Sequence, residues 1–130
     1  MKRLLGLVLL AGLGCDNGPE PVTMNSNVTL AIGESQPVDG NARLTLIDVP
    51  GDSRCPRQAE CVYAGNVQVS LRLQAGGQDT SAVINSLEPP QQLTLAGLVV
   101  RVTGVQPLPD AGVPVPKDAY RVSLRVGRAP

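Results

Sequence analysis

The sequence contains no histidine, tryptophan or phenylalanine, and its only aromatic residues are Tyr63 and Tyr120. Without histidine, the chain lacks the commonest metal ligand and general base of proteins. Aromatic side chains dominate interface hot spots and stack on nucleic-acid bases, so their scarcity argues against recognition by stacking. We therefore predict a protein that is not an enzyme, that uses no metal or cofactor, and whose core is built from Leu, Val, Ile and Ala.

The chain also lacks an excess of either charge. It has 11 basic and 11 acidic residues, and Lys2 and Arg3 are the only charged residues among the first 14, so the remainder carries a formal charge of −2. A nucleic-acid-binding domain would instead show a basic patch or a high isoelectric point. We therefore expect no nucleic-acid partner.

No apolar run is long enough to cross a bilayer, which takes about 20 residues. The longest run, Leu4 to Leu13, is about half that length and follows the basic pair Lys2 and Arg3. Small residues, Gly12 and Gly14, come directly before Cys15. This layout is typical of a secretory signal peptide over residues 1–14, removed on export.

The bond before Cys15 also fits a second kind of cleavage, that of a lipoprotein signal. The segment resembles a bacterial lipoprotein signal, which is cut just before a lipidated cysteine, although Gly12 stands where that pattern usually has leucine. Ordinary secretory cleavage would use the same bond, because Gly12 and Gly14 satisfy its small-x-small rule. Three cysteines leave one without a partner, and lipidation of Cys15 accounts for it. The alternatives are plain secretion with a free thiol or an intermolecular bridge at Cys15.

We accordingly expect the protein to be exported to the periplasm and anchored by an N-terminal lipid to a membrane of the bacterial cell envelope. The sequence does not distinguish the inner from the outer membrane. Residues 15–27 form the predicted lipidated terminus and flexible tether, since residues 16–27 are polar and contain two prolines and a glycine. The expected partner, besides the membrane, is an unknown envelope protein or ligand.

Residues 28–130 show an alternation of apolar and polar residues with period two. The clearest segment is Val67 to Leu73, and the last is Tyr120 to Val126. Seven or eight such segments are separated by turn signals such as Asp39-Gly40, and none has helical periodicity. The pattern predicts an all-β domain, an antiparallel β-sandwich of immunoglobulin-like type. A small β-barrel is the alternative.

Cys55 and Cys61 flank a five-residue loop between a strand predicted to end near Val49 and one predicted to begin near Val67. An exported location favours a disulfide between the two cysteines. Two thiols with no histidine make an incomplete metal site, and the spacing is not the Cys-x-x-Cys of redox proteins. In the chain-entropy model, closing so short a loop stabilises the fold by roughly 2 to 2.5 kcal/mol.

The same segment carries a motif. It runs Asp52-Ser53-Arg54-Cys55-Pro56, then a short loop, then Cys61-Val62-Tyr63-Ala64-Gly65-Asn66. In this it resembles a group of small uncharacterised bacterial lipoproteins that share Asp-Ser-Arg-Cys-Pro and Cys-x-Trp-Ala-Gly, with Tyr63 here in place of the tryptophan. The resemblance covers about 15 residues; it implies an exported all-β protein and supplies no catalytic residues.

Five residues of this segment form a possible binding loop: Asp52, Ser53, Arg54, Arg57 and Tyr63. A serine needs a base to act as a nucleophile, and the chain has no histidine to supply one. We favour a structural role for the first three, with Asp52 or Ser53 capping a turn and Arg54 pairing with Asp52, Asp48 or Glu60. The predicted function is a non-enzymatic accessory or binding module of the envelope. The alternative is a secreted inhibitor or ligand-binding domain that acts through this loop and the loop from Gln106 to Ala119.

Several arginines fall on outward positions of the predicted strands, namely Arg43, Arg72, Arg101, Arg121 and Arg125. If several share one sheet, they form a basic stripe suited to anionic lipid headgroups or an acidic partner. The alternative is ordinary edge protection and cross-strand pairing with acids.

Overall fold

A computed structural model describes residues 26–129, so the predicted signal peptide, Cys15 and most of the predicted tether lie outside the described residues. The described residues form eight strands and one 3₁₀ turn, Lys117–Ala119. The strands are β1 Ser26–Leu30, β2 Ser35–Val38, β3 Ala42–Asp52, β4 Val67–Ala75, β5 Gln78–Asn85, β6 Gln92–Leu95, β7 Leu98–Gln106 and β8 Arg121–Arg128. Among residues 26–129, no helix has the length and hydropathy of a membrane span.

The strands form two four-stranded antiparallel sheets that pack face to face. Sheet I has the order β1-β8-β7-β6, and sheet II has the order β2-β3-β4-β5. The predicted β-sandwich is therefore confirmed, and within the described residues the two sheets do not close into the alternative barrel. The strands of sheet II follow one another as a meander, and so do β6, β7 and β8, with β1 added beside β8.

The core lies between the sheets and follows from the period-two pattern, because alternate side chains of a strand point to opposite faces. In β4, the four inward residues Val67, Val69, Leu71 and Leu73 are fully buried. In β8, Val122, Leu124 and Val126 are buried in the same way. The core is aliphatic, as predicted, and contains a single aromatic side chain among the described residues, that of Tyr120.

The pattern alone ends β3 too early, near Val49, whereas the strand continues to Asp52. Two register shifts against β4, between Leu46 and Asp48 and between Asp48 and Gly51, interrupt the alternation. Bulges of this kind also explain how Pro50 is tolerated inside a strand, since proline cannot donate to a regular ladder. The extension carries Asp52 to the end of sheet II, where it faces Val67 of β4.

The first strand begins at Ser26, inside the predicted tether. Ser26 and Asn27 pair with Val126 and Arg125 of β8, so they belong to the edge of sheet I. The preceding chain therefore joins the sandwich at one corner of that sheet.

A candidate binding surface at the disulfide loop

The candidate site is the loop between β3 and β4. Because Asp52 and Val67 are paired neighbours, residues 53–66 leave and return at the same end of sheet II. The motif residues at the two ends of this loop are thereby brought next to each other, although they are far apart along the chain.

Asp52 and Arg54 form a bidentate ion pair at the start of the loop. The Arg54 Nε donates to Asp52 Oδ1 at 2.9 Å, and a terminal guanidinium nitrogen donates to Oδ2 at 2.8 Å. The side chains are only 13% and 11% exposed. Of the three acids proposed as partners for Arg54, the structure pairs it with Asp52. Such fork-to-fork pairs are strong and fix geometry.

The remaining donors of Arg54 reach across to sheet I. They bond the carbonyl oxygens of Val105, at 2.6 Å, and Pro107, at 2.8 Å, at the end of β7. One guanidinium therefore joins the segment that follows β3 to the end of β7. Four of its five guanidinium N–H groups thus donate to protein acceptors, which leaves Arg54 little capacity to bind a ligand.

Tyr120, directly before β8, completes this arrangement. Its hydroxyl donates to Asp52 Oδ2 at 2.8 Å. Burial would by itself raise the pKa of Asp52, but the hydrogen bonds from Arg54 and Tyr120 outweigh it and hold that pKa below its ordinary value. Burial, together with the hydrogen bond to the Asp52 carboxylate, raises the pKa of Tyr120 to about 12. The alternation placed Tyr120 inward, but its hydroxyl partner could not be inferred from sequence.

Ser53 and Asn66 close the base of the loop, through one bond between their backbones and one between the Asn66 backbone and the Ser53 hydroxyl. The Ser53 amide donates to the Asn66 carbonyl at 2.9 Å, and the Asn66 amide donates to Ser53 Oγ at 3.0 Å. A Cβ atom at Gly65 would overlap the carbonyl oxygen of Ser53, so only glycine fits there. Three motif positions, 53, 65 and 66, are thus explained by close backbone approach.

The Asn66 side chain extends the base toward the β5–β6 connection. It donates to Asn85 Oδ1 at 2.9 Å and accepts from the amides of Leu87 and Glu88 at 2.9 and 3.2 Å. These contacts satisfy backbone groups that no strand pairs. We call the hydrogen-bonded set Asp52, Ser53, Arg54, Asn66 and Tyr120 the base network.

Cys55 and Cys61 form the predicted disulfide, with their Cα atoms 5.9 Å apart. The loop that they close, residues 55–61, packs on the proline-rich loop 107–116. The Arg57 amide donates to the Pro109 carbonyl at 3.0 Å, and its Nε contacts Asp110 Oδ1 at 3.2 Å. Gln58 donates to the same carboxylate and accepts from the Ala111 amide, at 3.2 and 3.0 Å. The two loops that the sequence analysis named as contact surfaces are therefore neighbours.

Val62 and Tyr63 follow the disulfide and are the most exposed large apolar residues described, at 89% and 83%. We call them the apolar pair. They lie between Cys61, which the disulfide joins to Cys55, and Gly65, which lies against the Ser53 carbonyl oxygen. The proline-rich loop adds two more exposed apolar side chains, Leu108 and Val113.

The polar groups of the site are largely engaged with one another. Ser53 Oγ is engaged by the Asn66 backbone, donating to its carbonyl oxygen at 3.1 Å and accepting from its amide at 3.0 Å. Among residues 26–129, no group of three or more potential metal ligands comes together. The cleft next to Tyr120, between Val49 and Val115, has a volume of about 250 Å³. A second open cleft, lined in part by Ser53 and Asn66, has a volume of about 310 Å³. Both clefts lie near the lower end of the range of roughly 300 to 1,000 Å³ that is typical of small-molecule pockets.

Comparison with known proteins matched no family model, no curated protein and no solved structure.

Proposed function

We propose that this protein is an exported lipoprotein of the bacterial cell envelope that acts as a non-enzymatic binding module. Its partner-contacting element is the apolar pair. The observation that carries the proposal is the contrast between Val62 and Tyr63, which are almost fully exposed, and the hydrogen-bonded, disulfide-closed base that holds them.

Interface anchors are commonly aromatic side chains that bury a large area when a partner docks. Tyr63 is the only tyrosine outside the core, and the chain has no tryptophan or phenylalanine to take that role. Closure of the loop by the disulfide also reduces the entropy lost on binding. A protein partner with an apolar recess therefore fits this surface better than a small molecule does.

Site-specific photo-cross-linking in the native envelope tests the proposal. A photo-reactive amino acid is placed at position 63 and, as a control, at position 83, an exposed apolar position on the outer side of β5. We expect one discrete cross-linked product from position 63 that is absent from position 83. Equal labelling from both positions would contradict a specific contact at the loop.

Tyr63→Ala supplies a second test of the same contact, since it removes the anchor without touching the base network. Competition by purified wild-type protein should suppress the cross-link, whereas the Tyr63→Ala protein should not. If both proteins compete equally, the apolar pair does not carry recognition.

Anchoring at Cys15 is a separate part of the proposal and has its own test. Metabolic labelling with a fatty acid should mark the wild-type chain and not the Cys15→Ala chain, and only the former should sediment with membranes. Absence of label from the wild type would leave the second candidate, a secreted inhibitor or ligand-binding domain. The observation that favours this candidate is the docking of Arg57 and Gln58 on Asp110, which joins two loops into one composite surface.

A further inference from the structure

The two sheets carry very different charge. The strands of sheet I contain four arginines and no carboxylate, namely Arg101, Arg121, Arg125 and Arg128. The strands of sheet II contain two arginines and three aspartates, namely Arg43, Arg72, Asp48, Asp52 and Asp79. On a domain that is close to neutral, sheet I is therefore the cationic side.

Two of the four arginines of sheet I are compensated by neighbours. Arg128 bonds Asp39 at 2.6 Å. Arg121 forms no ion pair among the described residues, but it donates to the carbonyl oxygens of Asp118 and Tyr120 and weakly attracts Glu34 of the β1–β2 turn. The pKa of Glu34 is lowered first by the Ala31 amide, then by Gln36, and least by Arg121.

The other two arginines, Arg101 and Arg125, form no ion pair with any residue from 26 to 129. We call them the arginine pair. They lie directly opposite each other on β7 and β8, and both are exposed. Opposed residues on neighbouring strands have Cα atoms roughly 4.5 to 5.5 Å apart. Like charges in that position are destabilising, so the fold carries a repulsion that an anion would relieve.

The neighbours of the arginine pair are uncharged and able to form hydrogen bonds. Asn27 lies beside Arg125, and Gln92 lies beside Arg101, so one row crosses all four strands of the sheet. The adjacent outward row has Thr29 and Ser123, whose hydroxyls are 3.1 Å apart. The surface is therefore a sheet face that offers guanidinium, amide and hydroxyl groups and no carboxylate.

We propose that this face of sheet I binds the anionic phosphate headgroups of a lipid bilayer. The inference rests on the proposed function, because the chain that leads to Cys15 joins sheet I at Ser26, one residue before the arginine row. The ten residues between Cys15 and Ser26 span at most about 35 Å when extended and about 17 Å as a flexible coil. A lipid on Cys15 therefore keeps the arginine pair close to the bilayer, which a soluble acidic partner would not require.

Vesicle binding of the unacylated chain tests the face independently of the anchor. The exported Cys15→Ala protein is sedimented with phosphatidylcholine vesicles that contain or lack phosphatidylglycerol, at low and high salt. We expect binding only to the anionic vesicles, weakened by salt because the attraction is electrostatic. Each arginine near such a surface contributes about five-fold in partitioning.

Arg125→Gln should therefore lower the partition coefficient about five-fold, and the double variant Arg101→Gln/Arg125→Gln about 25-fold. Arg43→Gln is the matched control, since it removes an exposed strand arginine from sheet II that has no ion pair among the described residues. It should leave partitioning nearly unchanged. Thermal unfolding of the double variant should occur at or above the wild-type temperature, because the like-charge contact is gone.

Equal partitioning to both kinds of vesicle would overturn the inference, and so would equal losses for Arg43→Gln and Arg125→Gln. Failure of the proposed anchor gives a different result, namely a wild-type chain without acyl label while the Cys15→Ala protein still binds anionic vesicles through its arginine pair.

Discussion

Apart from Tyr120, the base network lies in the same short segment as the apolar pair, but the two differ in burial and in hydrogen bonding. In the base network, Asp52 and Arg54 are nearly buried, and their polar groups are bonded to protein atoms. In the apolar pair, Val62 and Tyr63 are almost fully exposed to solvent. The comparison teaches that the motif contains two parts: residues that hold the loop in place, and residues that the loop presents. Substitutions should therefore separate loss of stability from loss of binding.

Removing Arg54 should have the largest effect on stability. Arg54→Ala leaves the nearly buried Asp52 carboxylate with the Tyr120 hydroxyl as its main side-chain donor and frees two backbone carbonyls. Breaking one side of a buried pair costs about 3 to 5 kcal/mol, which urea unfolding would measure. The matched control is Arg57→Ala, whose pair with Asp110 is about half exposed and should cost well under 1 kcal/mol. Equal losses for the two variants would contradict the contrast between base and surface.

Gly65→Ala comes next, because its Cβ would overlap the Ser53 carbonyl oxygen. The two ends of the loop must then move apart, and we expect a loss of about 3 kcal/mol, at the upper end for overpacking. Gly104→Ala is the control, since its Cβ would lie 3.9 Å from the Ser123 Cβ, an ordinary contact. A Gly65→Ala protein as stable as the Gly104→Ala protein would show that the backbone approach is not tight.

The Cys55→Ser/Cys61→Ser double variant should lose about 2 to 2.5 kcal/mol, because the unfolded chain is no longer constrained. The bonds from Arg57 and Gln58 to the proline-rich loop would remain available, so we expect the sandwich to persist. Chemical unfolding of the variant and of wild type, each with and without reductant, measures this. A reductant effect in the variant itself would mean that the disulfide is not the source of the difference.

The stability that Tyr120 contributes is limited to pH values below the pKa of its hydroxyl. Its pKa rises from 10.0 to about 12 on folding, so the folded state holds the proton more tightly. The stability that follows is complete below pH 10 and is lost as the pH rises toward 12. Tyrosinate absorbance of the Tyr63→Phe protein reports Tyr120 alone and should rise near pH 12. A rise near pH 10 in the folded protein would contradict the buried hydrogen bond.

Asp52 of the base network gives stability the opposite pH dependence, because its contribution is lost at acid rather than at alkaline pH. The folded pKa of Asp52 lies below its ordinary value of 3.8, so its stabilisation is present above that pH and is lost as the pH falls further. Asp48 and Asp79 have lowered pKa values as well, each chiefly through a hydrogen bond from a cationic side chain. The alkaline limit is therefore the more specific measurement.

Tyr63→Ala should have the smallest effect on stability, within about 0.5 kcal/mol, as expected for an exposed side chain. Its effect should instead appear in the cross-linking assay, where recognition is lost. Thermal unfolding and cross-linking of one preparation would make the comparison. A large drop in stability would place Tyr63 with the base network rather than with the presented surface.

The fold could be predicted from the sequence because the alternation of apolar and polar residues is a local property. Val67 to Leu73 shows its buried face directly in the order of its residues, and so does Tyr120 to Val126. The predicted end of β3 was wrong, because bulges around Asp48 and Gly51 shift the register and hide the alternation. A bulge depends on the partner strand, which a single sequence does not reveal.

For the candidate site, the sequence by itself determined the disulfide partners, the charged pair of Asp52 and Arg54 as one of several options, and the exposed loop as a region of interest. Only the tertiary structure decided that Arg54 also bonds Val105 and Pro107, that Tyr120 donates to Asp52, and that Arg101 faces Arg125 without an acid beside it. The physical reason is distance along the chain. Periodicity and short spacings act within a few residues, whereas these contacts join strands that only the packing of two sheets brings together.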